Sequence, residues 1–444
     1  MNVALSPEDR ASYLLRFGDM NQVEAPAWLS AARRMAFDAF VQQGWPSQKQ
    51  EEWRFTDVTP VAERELLPVP ARPAQFEPGL FDAQILGMGE GSHRMVFVDG
   101  HHHSSRTLGP DANAGLGLLR LLAAEAAAQA VLSAHFGQHL RNHNAFTALN
   151  SVFMPDGAFV WIPPGLRCER PIYIFHLATA SEGASFPRSL ILAGANSSTS
   201  VVEIHLGAQR RATLSNAASE IVLEPGAQLA YHAVQKSAAQ GFHLGHVAVT
   251  QQTGSAFSGH GLVLGGRLVR RDVQVLVAGE GCTCNLDGTY LVGGESHVDN
   301  QTTIDHSRAR STSREDFRGA IADGGHAVFA GRILVRPGAE KTDAQQGNRN
   351  LLLSDAARVD SKPQLEILAS GVKCSHGATT GRLDPDALFY LQARGIGPQD
   401  GKRILIRAFL MQSLERVAST DVRGELSGLL ESRIDELALT EARP

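Results

Sequence analysis

The stretch 200-SVVEIHLGAQRRATLSNAASEIVLEPGAQLAYHAVQ-235 decides how this chain folds. Its three short runs, 200-SVVEIHL-206, 220-EIVL-223 and 229-LAYHAV-234, alternate apolar with polar positions, as strands with one buried face do. Gly, Asn, Ser and Pro punctuate the intervals, with no convincing helix between. The same texture continues upstream in 158-AFVWI-162 and 172-IYIFHL-177. Downstream it recurs in 246-HVAVT-250, 262-LVL-264, 273-VQVLV-277, 289-TYLV-292, 301-QTTI-304, 327-AVFAGRILV-335 and 364-QLEIL-368. About a dozen such runs fit either an antiparallel sandwich or a solenoid whose coils stack on one another. Small residues at the corners and the lack of Asn-Gly hairpin turns favour a parallel β-helix.

Both flanks read differently. Ser6 to Phe17 and Ala25 to Gly44 carry helical spacing, with Ser6-Pro7-Glu8-Asp9 as N-cap, proline and acidic first turn. The segment from Pro60 to Pro78 is a linker candidate, and 95-MVFVDGHHHSS-105 reads as a strand and turn. The Ala- and Leu-rich run 114-AGLGLLRLLAAEAAAQAVLSAHFG-137 predicts a helix. After Pro385, Ile406, Phe409, Leu410, Leu414 and Val417 form one apolar helical face, and Val422, Leu426, Leu430, Ile434 and Leu437 another. The expected organisation is mainly β. A mainly helical N-terminal domain with a Pro-rich linker spans 1–150, a parallel β-helix core 151–385 and a C-terminal helical domain 386–444.

Composition narrows the function classes. With 41 basic and 46 acidic residues among 444, the formal charge of −5 offers nothing to nucleic acid. The N-terminus lacks the apolar core of a signal peptide, and no run of about 18 apolar residues suggests a membrane span, so a cytoplasmic protein is expected. Four scattered cysteines argue for reduced thiols rather than a disulfide framework. No Walker A, Gly-x-Gly-x-x-Gly, Gly-x-Ser-x-Gly or His-Glu-x-x-His motif occurs, so no nucleotide is expected to bind directly.

The candidate chemistry is sparse. In 373-KCSHGAT-379, Cys374 and His376 stand at i and i+2, on one side of a strand if the segment is extended. Thiolate and imidazole both suit iron and sulfide, and Lys373, if close enough, would favour the thiolate. Two ligands do not complete a four-ligand site, and a buried strand end is the competing reading. Cys282 and Cys284 share the same spacing, with a buried pair the plainer expectation. The histidines 101-HHH-103 are expected on a surface turn, and His205, His232, His246, His260, His297 and His306 as hydrogen-bonded structural residues. A β-helix enzyme acting on carbohydrate or acyl substrates, with Asp305, His306 and Glu315 as acid–base groups, is the alternative, although no paired-carboxylate spacing stands out.

Two longer segments resemble a known family. The stretch 331-GRILVRPGAEKTDAQQGNRNLLLSDAARVDSKPQLEILASGVKCSHGATTGRLDPDALFYLQARGI-396 is similar to the core of the SufB/SufD family, and 47-SQKQEEWRFTDV-58 resembles the N-terminal signature of its SufD branch. The 373–379 segment also resembles that branch and not the acidic Glu-His-Glu-Ala-Thr version of SufB. The resemblance implies a right-handed parallel β-helix with helical N- and C-terminal domains. It further implies a non-catalytic scaffold pairing with a SufB-like paralogue and a SufC-like ATPase that hydrolyses the nucleotide. His376, and less securely Cys374, would help hold a nascent, transient iron–sulfur cluster shared with SufB. The ATPase-docking region would follow Phe389-Tyr390-Leu391, and Lys373, Arg394, Gly395, Arg407 and Phe409 are expected to face partners.

Overall fold

From Ser198 onward the chain crosses back and forth between two sheets. Ser198–Gly207 lies in one sheet, Leu214–Leu223 in the other, Gln228–Lys236 in the first again and Phe242–Gln251 in the second. The alternation runs on through Ala256–Val263, Leu268–Val277, Thr283–Val292, His297–His306, Thr312–Ile321, His326–Val335, Asp343–Leu352 and Arg358–Ile367 to Lys373–Gly381. Every one of these strands pairs in parallel with the strand one coil away. This computed structural model describes residues 7–21, 25–64, 68, 78–106, 115–118, 126–140, 144–179, 183–208 and 212–437. It is mainly β, a parallel β-helix with helices at both ends, as the punctuated runs predict.

The register aligns Thr283 with Thr312, Thr312 with Asp343 and Asp343 with Lys373, so a coil takes about 30 residues. Because side chains alternate across a strand, this register stacks equivalent positions into files. One file runs Cys284–Ser313–Ala344–Cys374, and the next inward file Leu286–Glu315–Gln346–His376. Between the sheets lies a core that includes Val201, Ile221, Val249, Phe257, Val275, Ile304 and Phe329.

Each sheet also buries much of its outer face, which is why several strands are buried throughout. Leu190, Leu192, Leu214, Val222 and Leu244 pack under an N-terminal cluster containing Phe37, Phe40, Trp45, Trp53 and Phe146. Val202, Ile204, Leu206, Val234 and Leu262 of the other sheet pack under Ile406, Leu410, Leu414, Val422, Leu426, Leu430 and Ile434. Those contacts come from helices Pro398–Leu414 and Thr420–Asp435, with the apolar faces that the spacing predicts. At the other end, Pro7–Asn21 and Ala27–Gln43 are helices as expected. Helix Ala145–Phe153 begins with a capping box in which the Asn144 side chain accepts from the backbone N–H of Thr147 at 3.0 Å.

Two expectations need correction. Residues 101-HHH-103 are not a turn: they open the strand His101–Arg106, antiparallel to His93–Val98. The turn is the two-residue Asp99-Gly100, both at positive φ (51° and 83°), which closes a tight hairpin before the histidines begin. The run 114–137 is not one helix either, since Gly115–Leu118 is a strand paired with Ala158–Ile162, and the described helix is Ala126–His135. Gly115 and Gly117 weaken helix there, and pairing with the sheet decides the outcome. Ser6, residues 119–125 and most of the Pro60–Pro78 linker lie outside the described residues. None of the described helices is long and apolar enough to cross a membrane.

Candidate functional site

The β-helix ends on open edges. Lys373–Gly381 pairs on one side with Asp343–Leu352, and Arg358–Ile367 on one side with His326–Val335; each ends its sheet. Unpaired backbone groups along such edges are templates for another strand. Nearby Ile367 and Leu368 are 43% and 56% exposed, unlike the apolar residues deeper in the coil.

Cys374 and His376 belong to that last strand and lie in the inward files, so the structure brings them together on one side of an edge. Cys374 is half-buried beside Ile333, Val335, Ala339, Ala344 and Leu365. His376 is exposed. Its register neighbour Gln346 donates through Nε2 to Glu315 at 2.6 Å, one coil further in. The thiolate-favouring effect considered for Lys373 does not emerge. Lys373 alternates to the opposite side of the strand, and burial pushes the Cys374 thiol up, with the Ala344 backbone opposing and Asp343 reinforcing it. Among the described residues no group of three or more His, Cys, Asp or Glu is poised to hold a metal, so the pair stands as an incomplete ligand set.

The other expected partner-facing residues lie just beyond. Helix Pro385–Ala393 has no buried residue; Phe389 is 70% and Tyr390 57% exposed. The Arg394 guanidinium sits 4.7 Å from the Tyr390 ring centroid, and Gly395 follows at φ 85°. Arg407 lies 3.7 Å from Glu431. Phe409 is partly buried beneath the Arg318 guanidinium, 5.5 Å from its ring, and its carbonyl accepts from Arg318, so its visible work is packing.

The N-terminal signature folds along the sheet that ends at Arg358–Ile367, where Glu51 pairs with Lys362. Trp53 is buried under the Arg270 guanidinium at 3.8 Å, and Arg270 also donates to the Glu52 carbonyl at 2.9 Å and ion-pairs with Asp299. Thr56 donates to Asp299 at 2.6 Å and touches His297 Nε2 at 2.9 Å, while His297 meets His326 at 3.1 Å and His326 meets Asp360 at 2.7 Å. The signature residues thus clamp the N-terminal region to four successive strands of one sheet. Burial pushes the His297 imidazole down to about 4.

Cys282 and Cys284 are both buried, and the Cys282 thiol donates to the Gln252 carbonyl at 3.1 Å, which is the plainer of their two readings. The expectation of hydrogen-bonded structural histidines holds only in part. Among the described residues, both ring nitrogens of His232 and Nδ1 of His205, His260 and His306 are buried without a partner. Asp305 and His306 alternate to opposite sides of their strand, with Asp305 on Arg336 at 2.7 Å and His306 on Ser313 at 2.9 Å. They do not converge with Glu315 on a cleft, which removes the support for an acid–base site.

Comparison with known proteins agrees with this architecture. Residues 13–174 match the SufBD protein N-terminal region, and residues 176–409 match the SufBD core domain of SUF system FeS cluster assembly. The chain is 28% identical to an iron–sulfur cluster assembly SufBD family protein of Synechocystis over 392 residues, 86% of each chain. It is 28% identical to the iron–sulfur cluster assembly protein SufD of Escherichia coli over 402 residues, 88% of this chain and 90% of that one. To SufD of Bacillus subtilis it is 27% identical over 303 residues, 66% of this chain and 68% of that one. With its core domain matched over more than half its length and its N-terminal region matched alongside, the chain belongs to the SufB/SufD family of iron–sulfur cluster assembly proteins.

Proposed function

We propose that this chain is a cytoplasmic, non-catalytic scaffold subunit that joins a SufB-like paralogue across its open β-helix end. Cys374 and His376 then supply one half of the ligands for a nascent iron–sulfur cluster, and the paralogue supplies the other. A SufC-like ATPase docks on the helix Pro385–Ala393 and the segment through Arg394, Gly395 and Arg407, and carries out nucleotide hydrolysis. The observation that supports this reading is the open edge, where Cys374 and His376, residues of types that suit iron and sulfide, lie on an edge strand near exposed apolar residues. Completing the sheets with a partner strand would satisfy the backbone and bring further ligands to the same spot. The exposed Phe389 and Tyr390 support the second docking surface.

Co-expression with a SufB-like paralogue and a SufC-like ATPase tests both surfaces. Ile367→Asp with Leu368→Asp is expected to weaken the paralogue at least about tenfold, roughly 1.4 kcal/mol. Phe389→Ala with Tyr390→Ala should release the ATPase and leave the paralogue bound. Unchanged affinities in variants that melt like the parent chain would rule these surfaces out.

A further inference from the structure

The contacts that fasten Thr56 to the sheet form a chain that needs one proton more than its neutral members carry. Thr56 Oγ1 touches Asp299 at 2.6 Å and His297 Nε2 at 2.9 Å. His297 Nδ1 touches His326 Nδ1 at 3.1 Å, and His326 Nε2 touches Asp360 at 2.7 Å. Each of these four contacts requires a proton between its two heavy atoms. The carboxylates at the two ends bring none, the Thr56 hydroxyl brings one, and each neutral imidazole brings one. The chain is therefore one proton short unless a ring is doubly protonated.

The directions follow from the sealed end. The Asp299 side chain is only 1% exposed, ion-pairs with Arg270 and accepts from Gln301 at 2.7 Å, so it acts as an acceptor alone. Thr56 donates to it and in turn accepts from His297 Nε2. Burial keeps the His297 ring neutral, so its Nδ1 presents a lone pair and accepts from His326 Nδ1. His326 Nε2 then faces the Asp360 carboxylate and needs a proton of its own.

The charged groups around His326 leave that proton to the direct contact. Glu295 and Asp299 come from the preceding coil, Arg267 and Arg270 from the one before it, Arg358 and Asp360 from the next, and Arg54 and Asp57 from the N-terminal segment. Guanidinia and carboxylates are equal in number there, and Lys362 further along the last strand is paired with Glu51. Of these charged groups Asp360 alone contacts the His326 ring. The His326 and Asp360 side chains are 21% and 31% exposed and border a groove, so this end of the chain exchanges protons with water while the Asp299 end is closed.

We propose that His326 holds the surplus proton as an imidazolium against Asp360, and that this proton closes a pH-sensitive latch fastening the N-terminal region to the β-helix. When it leaves, one of the four contacts must open, whichever tautomers the rings adopt. The folded chain then binds more protons near neutrality than the unfolded one. The latch is complete below the ordinary histidine value of about 6.5 and weakens as pH rises. The inference is independent of the scaffold reading, because no partner or cluster enters it.

Nitrogen-15 NMR of the full chain, labelled in its histidine rings, tests the proposal, with the His326 signals assigned by their loss in His326→Gln. At about pH 7, where roughly three quarters of free imidazole has shed its second proton, His326 is expected to show protons on both ring nitrogens. Exchange of the backbone amides in 47–58 gives a second measure. After correction for the intrinsic rate, their protection should fall severalfold more steeply with pH in the parent chain than in Asp360→Asn. The asparagine amide donates to a neutral His326 and fills the fourth contact without the extra proton, so in that variant His326 should carry one ring proton. A parent His326 ring with one bare nitrogen at that pH would overturn the proposal, as would equal slopes of protection in parent and variant. Should Asp360→Asn fail to fold, the parent spectrum alone decides.

Discussion

Glu220→Ala is expected to destabilise the chain by about 3–5 kcal/mol, the cost of leaving a buried charge alone. Glu220 and Arg188 form an ion pair in which neither side chain is exposed. The same carboxylate accepts from the backbone N–H of Gly137 at 2.7 Å, His139 at 3.0 Å and Leu140 at 3.2 Å. One side chain therefore neutralises a buried guanidinium and fastens the loop after helix Ala126–His135 to the sheet. Arg188 is further held by Asn150 at 3.1 Å and lies 4.5 Å from the Phe136 ring, so it has no route to water once its partner is gone. Chemical denaturation of the variant measures the loss. The double change Arg188→Met with Glu220→Leu should recover only the part due to the orphaned charge, because the backbone N–H groups of Gly137, His139 and Leu140 still lose their acceptor. A Glu220→Ala chain as stable as the parent would contradict this account of the N-terminal attachment.

Stability should also fall as pH rises through neutrality. Burial pushes the Glu315 carboxyl up to about 7, with Thr302 and Gln346 opposing, and burial likewise takes Asp287 to about 7 against the pull of Arg416. Both groups start from ordinary values of 4.5 and 3.8 in an unfolded chain. Between those values and about 7 the folded chain keeps protons that the unfolded chain has released, so the folded state binds more protons and loses stability as pH increases. This contribution is fully present below about pH 4 and gone above about 7. Glu315→Gln removes its share and should stabilise the chain at pH 8 by roughly 3 kcal/mol relative to the parent, and by little at pH 4. Denaturation midpoints across that range check the slope; parallel profiles for parent and variant would show that Glu315 does not cause it.

The sequence revealed the β-helix in most runs whose inward positions are apolar, though Arg188–Ala193 with inward Ile191 and Ala193 went unread, and hid it where those positions are polar. The runs around Val201, Val249, Val275 and Ile333 alternate cleanly, and these strands were readable at once. Asp343–Leu352, by contrast, reads DAQQGNRNLL and looks like loop. Its inward Gln346, Asn348 and Asn350 pair with other interior polar groups, Asn348 donating to Tyr290 at 2.9 Å and Tyr290 donating to Asn350. A strand whose inner face is hydrogen-bonded instead of apolar carries no period-2 hydrophobic signal. Thr312–Ile321, with Ser313 and Glu315 facing in, was invisible for the same reason.

The candidate site divides along similar lines. The i, i+2 spacing of Cys374 and His376 was legible because strand geometry alone fixes the side they share. What the spacing withheld was the open edge, which depends on Lys373–Gly381 being the last strand of its sheet and not a middle one. The Trp53–Arg270–Asp299 clamp was out of reach as well. It depends on residues far apart in sequence meeting across coils, and a charged residue in an apolar run says that something must satisfy it without saying what.

The central claim is that Cys374 and His376 form half of a cluster site completed by a paralogous partner. Anaerobic reconstitution of the chain together with its SufB-like paralogue and ATPase, followed by iron and acid-labile sulfide analysis of the purified complex, tests it most directly. His376→Ala should leave the complex assembled and lower its iron and sulfide severalfold, and Cys374→Ser should lower them less. A well-folded His376→Ala complex that carries as much iron and sulfide as the parent would contradict the claim.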